Sequence, residues 1–474
     1  MRITIYIAFI SSSLFLLACK STEKTGTVQF SALPLSYNQK DDSLNASNLT
    51  WKQFFNDSDL ISLLDMAVRN NQDVFISLQK IKIAEAKANI SKNMLLPDLS
   101  AVASASQRKF GLYTMDGAGN VSTEITSGQF VPVHLPDYYL GLQSSWEIDL
   151  WGKLRNRKRA AIATYLSSIE GKNLVITNLI AKTAMAYYEL LALDNELDII
   201  RETIKLQDNA LQIVKVQKQS AQTNELAVKQ FEAQLLNSRS MEVEIMQQIT
   251  EFENLINFLC GRFPQPIIRN KLTFMNSLPQ QIQTGIPSDL LENRPDIRKA
   301  ELALLETNAN VKAAKASFYP SFTISGGIGF QAFKTGLLFT TPQSAAYNLI
   351  GTLVAPLINR AAIKAEFKSA NALQVSAMYE YQKTIINAYV EVYNEIVRIN
   401  NLQKIYNFKT MQADVLTKSI ETASALFKTG RANYLEVLMT QKNALVSQLE
   451  LVTTRKRQYQ SVITIYKSLG GGWK

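Results

Sequence analysis

Few side chains in this 474-residue chain are suited to chemistry. There are two cysteines, Cys19 and Cys260, and one histidine, His134. So small a set cannot build a Cys/His zinc cluster within one chain, nor a disulfide framework. His134 is the sole candidate base for a Ser-His-Asp triad. It lies between Pro132 and Pro136 in what reads as a loop, which argues against a hydrolase. Asp65, Asp73, Glu85 and Glu292 are scattered, so no carboxylate pair for acid/base work follows from spacing. Cys260, near the end of a predicted helix, reads as a buried small side chain. No catalysis, cofactor or metal is expected.

Cys19 has a different setting. Arg2 is a short positive region, and Ile3 to Leu17 is mostly apolar but too short for a transmembrane helix. Leu16-Leu17-Ala18-Cys19 follows and looks like a bacterial lipobox. There the thiol takes diacylglycerol through a thioether, and the peptide is cut before it. The expected division is a signal peptide at 1–18 and a lipidated polar tether at 19–50. Lys20, rather than an aspartate, follows the cysteine, which is compatible with the outer membrane.

The formal charge is +10, with 46% hydrophobic and 19% charged residues. That excludes a disordered chain. The most basic run is Lys153, Arg155, Arg157, Lys158 and Arg159. It lacks aromatic interleaving and any known module, so it reads as a solvated helix start, and no nucleic acid is expected.

The remaining elements are organised by proline. None occurs between Asp137 and Phe263, or after Pro356. Ala186, Leu190, Leu193, Leu197, Ile200 and Ile204 keep a coiled-coil rhythm, as do Ile385, Tyr389, Val392, Ile396 and Ile399. Lys153 to Lys218 and Ala361 to Lys428 are predicted helices of roughly 95–100 Å. Each is followed by a short break and a second helix, so that long helices cover 153–259 and 361–469. Strands are predicted at about 99–107, 138–148, 321–331 and 346–354. The best of them alternates Phe322, Ile324, Gly326, Ile328 and Phe330 against Thr323, Ser325, Gly327, Gly329 and Gln331. The order helix, Pro, strand, loop, strand, long helix, break, helix occurs twice, over 51–264 and 265–474. Four strands cannot close a barrel, and open edges in lipid would leave backbone groups unpaired. Three copies would supply twelve.

Several segments then resemble the TolC family of outer-membrane efflux proteins, in its lipoprotein branch. They are Trp146 through Arg155, Arg294-Pro295-Asp296 through Ser321, Asn433 through Leu438, and Tyr466 through Trp473. The resemblance implies a mixed membrane β-barrel plus long α-helical coiled-coil barrel, formed as a homotrimer. It implies a passive duct in the outer membrane, reaching into the periplasm and exporting small molecules such as drugs. Its implied partners are outer-membrane lipid, a periplasmic adaptor and an inner-membrane pump of the resistance-nodulation-division type. Type I protein secretion and a non-conducting coiled-coil lipoprotein scaffold are the alternatives.

By the same resemblance, the helix breaks are periplasmic tips that close the pore and meet the adaptor. The first holds Lys218, Ser220 and Thr223, and the second Gly430, Arg431, Ala432, Asn433, Tyr434 and Leu435. Related channels often carry an aspartate where Ala432 stands. Arg431 beside it would repel its symmetry mates and favour anions, or else pair with Glu436.

Overall fold

The structure is a computed structural model and describes residues 32–37, 49–276, 284–356, 358 and 360–473. Cys19, the signal peptide and most of the tether lie outside the described residues.

The first repeat opens with three helices, α1 (Trp51–Phe54), α2 (Ser58–Asn70) and α3 (Gln72–Asn93). Strand β1 (Asp98–Arg108) follows Pro97. A loop carries α4 (Met115–Ser122), β2 (Glu124–Thr126) and β3 (Gln129–Phe130) before β4 (Leu135–Ile148). Then come α5 (Lys153–Gln219) and α6 (Glu225–Leu259). Short helices α7 (Thr273–Asn276) and α8 (Asp289–Asn293) lead to the second repeat. That repeat is α9 (Pro295–Ala316), β5 (Ser321–Ala332), β6 (Ala345–Val354), α10 (Arg360–Lys428) and α11 (Tyr434–Ser468). Helices α3 and α9 each have 22 residues, α5 and α10 have 67 and 69, and α6 and α11 have 35 each. The chain is thus one architectural unit written twice. The helix and ribbon inside the loop at 109–134 carry no periodic signal strong enough to read from sequence.

The sheet is antiparallel in the order β1-β4-β5-β6. Its register sorts side chains by chemistry. One cross-strand row is Ala101, Leu142, Ile328 and Tyr347, and another is Ala103, Leu140, Phe330 and Ala345. The row adjoining the first of these, on the opposite face, is Ser100, Gln143, Gly327 and Asn348, and small residues Val102, Gly141, Gly329 and Ala346 lie between the two apolar rows. A one-residue slip would mix the two sets, so the apolar pattern fixes the register. The apolar face has no cover among the described residues: Ile328, Tyr347 and Leu349 are 66%, 87% and 79% exposed. Nor do β1 and β6 have further strand partners among the described residues. None of the described helices is long and apolar enough to cross a membrane.

Below the sheet, Asp149 starts α5. Its carboxylate accepts from the Leu154 and Arg155 backbone N–H groups at 3.0 and 2.8 Å. These first-turn donors have no intrahelical partner. Trp151 joins the two repeats, donating from Nε1 to the Pro320 carbonyl at 2.7 Å and stacking on Tyr319. In the basic run, Lys153 pairs with Glu147 and Arg155 with Asp149.

The main core forms a belt partway down α5. Tyr187, Leu190 and Leu191 pack there with Leu60 and Leu64 of α2 and Tyr466 of α11. Phe54 stacks on Tyr466 at 3.9 Å, and Tyr188 on Tyr459 at 4.1 Å. The described residues 32–37 lie beside this belt. Tyr37 is buried with Leu290 and Ile297 and stacks on Tyr389 at 5.3 Å.

In each repeat, the shorter helix ends against the opening of the helix that leads into the sheet. Gly261 follows α6 at φ +66°, and a Cβ there would lie 2.4 Å from the Asn70 carbonyl oxygen. Gly470 follows α11 at φ +90°, and a Cβ would lie 2.4 Å from that of Asn293. Only glycine combines this backbone with this approach. The next residue locks each joint: Asn71 Nδ2 donates to the Leu259 carbonyl at 2.9 Å, and Arg294 Nη1 to the Ser468 carbonyl at 2.9 Å. Arg294 also pairs with Asp296 at 2.7 Å and with Glu391 at 2.8 Å.

Two outcomes follow. Arginine at Ile328 costs about 2–4 kcal/mol if that face meets lipid and lowers the yield of membrane-assembled protein. Arginine at Ser325, on the polar face, is tolerated; outer-membrane fractionation separates the two. Burial raises the Asp296 pKa, but hydrogen bonds and charge from Arg294 outweigh it, holding the carboxyl below its ordinary 3.8. Its contribution is complete above pH 3.8 and is lost as pH falls through the depressed value. Asp296→Asn therefore costs about 2 kcal/mol at neutral pH, and the difference from wild type shrinks in acid; thermal midpoints against pH measure both.

Candidate functional site

The far ends of the long helices are two turns of the same construction. At the first, the Gln222 N–H donates to the Gln217 carbonyl at 2.9 Å, closing the end of α5. At the second, the Arg431 N–H donates to the Leu426 carbonyl at 2.8 Å, closing α10. The residue before each donor is left-handed: Ala221 at φ +58° and Gly430 at φ +69°. Ala221 is the one non-glycine residue with positive φ among the described residues.

The next helices start alike. Asn224 Oδ1 accepts from the Ala227 N–H at 3.0 Å, and Asn433 Oδ1 from the Glu436 N–H at 3.1 Å. At the second tip the Glu436 carboxylate returns the bond, accepting from the Asn433 N–H at 2.9 Å. Glu436 is therefore committed to the cap, and Arg431 beside it is exposed. Lys218 forms an ion pair with Glu225 across the first turn. Hydrogen bonding to that ammonium holds the Glu225 carboxyl below its ordinary value.

The fold brings the two tips side by side. Val214, Val228 and Phe231 of the first hairpin pack with Val437 of the second, and Phe427 and Tyr434 close over them. Tyr434 is thus half-buried, while Leu435 stays 51% exposed. Ser220 bonds back to the Val216 carbonyl at 3.3 Å, and Thr223 and Ala432 are half-buried in the turns. The repeated Asn and the spacing after it were visible in the sequence. The strained conformation of Ala221 was not, because alanine carries no signal for a left-handed turn. Cys260 lies far away in the belt, buried, its Sγ 3.6 Å from the Leu63 carbonyl; burial pushes its thiol pKa up.

A lipid-compatible sheet continued by helices of roughly 100 Å, with paired turns at their far end, is the geometry of a tube. The model of the outer membrane efflux protein family matches residues 63–262 and 286–471. The chain belongs to this family. Among its relatives is the pyoverdine export outer membrane protein OpmQ of Pseudomonas aeruginosa, 27% identical over 90% of this chain and 87% of that one. The probable outer membrane lipoprotein SilC of Salmonella typhimurium is 26% identical over 93% of this chain and 92% of its own length. The solved structure of the outer-membrane channel OprN superposes with a TM-score of 0.83 at 21% identity, covering 96% and 99% of the two chains. This chain is an outer-membrane efflux channel of the TolC-like fold.

Ala221→Gly should relieve about 1 kcal/mol of backbone strain. Hydrogen exchange at the Gln222 amide then slows by roughly fivefold, and Gly430→Ala gives the opposite change at Arg431.

Proposed function

We propose that three copies of this chain form the outer-membrane duct of a tripartite assembly, anchored by lipid on Cys19. The observation that carries the reading is the sheet: one apolar face, one polar face and two edges without strand partners among the described residues. In hydrocarbon those edges must be satisfied, and copies joined β6 to β1 satisfy them. Twelve strands from three chains place Ser100, Gln143 and Asn348 on a wet lumen and Leu142, Ile328 and Tyr347 toward lipid. The long helices carry the lumen into the periplasm.

The tips are the proposed gate and the contact for a periplasmic adaptor. A resistance-nodulation-division pump supplies energy, and small molecules are the cargo. The export named for one relative and the lipoprotein named for another support this reading. At the second tip the charge is Arg431, with Ala432 beside it and Glu436 engaged by its cap. Three such arginines around one axis favour anions near the entrance.

Purified mature protein in planar bilayers should conduct as a trimer. A monomeric rod without conductance would overturn the duct and favour the scaffold. Arg431→Asp is expected to move the reversal potential in a salt gradient toward cation preference; no movement excludes Arg431 from the conducting path. Cys19→Ser should abolish incorporation of labelled acyl chains and leave the precursor unprocessed, as a gel-mobility shift reports.

A further inference from the structure

The joint between α6 and α3 is the contact of Gly261 with the Asn70 carbonyl, sealed by Asn71. Beside it runs a groove of about 600 Å³, bounded by α3, α5 and the end of α6. Its apolar side includes Ile76, Val175, Leu179 and Phe258, and Phe258 is 68% exposed. Lys80, Lys172, Lys182 and Lys299 also line it, against a single carboxylate, Asp73. The carboxylates that bracket the groove along α5 are engaged elsewhere. Glu170 faces Arg298 at 3.8 Å and accepts from Asn173, and Glu189 holds Lys456 at 2.6 Å.

This composition is not a requirement of the joint. At the matching positions of the second repeat, Ala303 stands for Lys80 and Lys467 for Phe258. Four lysines against one carboxylate give the groove a positive balance beside apolar surface, and an anion with an apolar body complements both. The volume suits a small organic molecule. The groove spans residues 164–182 of α5, so it starts roughly 16 Å below the end of the sheet, out of reach of bilayer headgroups.

We propose that this groove binds a small amphiphilic anion from solution, its apolar body on Phe258 and Val175 and its acid group among Lys172, Lys182 and Lys80. The site adds a saturable binding step to the channel and does not depend on how the tips open.

The test uses the full mature protein in phosphatidylcholine nanodiscs, with dansyl-aminooctanoate as fluorescent probe. Saturable binding at one probe per chain is expected, weakened at least about tenfold in Lys172→Gln/Lys182→Gln and about as much for the uncharged amide of the probe. Lys172→Arg/Lys182→Arg should retain binding, and Phe258→Ser should weaken it. Equal signal from wild type and the glutamine variant would mean bilayer partitioning and overturn the site. Competition by phosphatidylglycerol in the disc would overturn a solution ligand in favour of lipid. Conductance of the same variants, read separately, tells failure of the site from failure of the duct.

Discussion

The constraint on which the rest depends is the pair of open edges on the four-stranded sheet. Strands β1 and β6 present rows of backbone donors and acceptors, and the sheet's apolar face has no cover among the described residues. Water would satisfy the edges but not the face; lipid would satisfy the face but not the edges. Closure with further copies satisfies both. It also sets the placement of everything beneath, since α5 and α10 leave the sheet through the short connections after Ile148 and Val354.

The second constraint is length. A helical wall of roughly 100 Å needs a partner along its whole extent, yet α3 and α6 are each too short to supply one alone. The chain solves this by abutting two helices at a glycine joint. Gly261 lets the end of α6 come against Asn70, and Asn71 seals the contact. Gly470 and Arg294 repeat the device, with more charge at stake, because Arg294 is buried and needs Asp296 and Glu391 to offset its desolvation. The aromatic belt of Tyr187, Tyr188, Tyr459 and Tyr466 lies alongside and holds the two repeats in step. The tips, by contrast, are held by caps, one ion pair and a modest apolar cluster. The belt is thus the more heavily packed part of the helical wall, and the tips are the more lightly held part.

Much of this was legible in the sequence because it rests on local rules. Proline at 97, 295, 320 and 356 marks element boundaries. Alternation in Phe322 to Phe330 and the coiled-coil rhythm in Ala186 to Ile204 identify strand and helix by period. Asn433 three residues before Glu436 is a cap that can be read directly. What escaped reading depends on partners distant in sequence. Tyr37 sits in a polar segment and gives no hint that it stacks on Tyr389. Lys80, Lys172 and Lys299 look like ordinary surface lysines until α3, α5 and α9 bring them to one groove.

The sequence by itself therefore determined the long helices and the four sheet strands, their doubled order and the two-faced character of the strands, since these follow from backbone sterics and side-chain period. Tertiary structure alone decided which carbonyl each joint residue meets, that both tips share one apolar cluster, and where unpaired charge collects. Those outcomes depend on contacts between residues as far apart as Asn71 and Leu259, or Arg294 and Ser468. No local preference encodes such a contact. It exists only once packing has fixed the distance between the two chain segments.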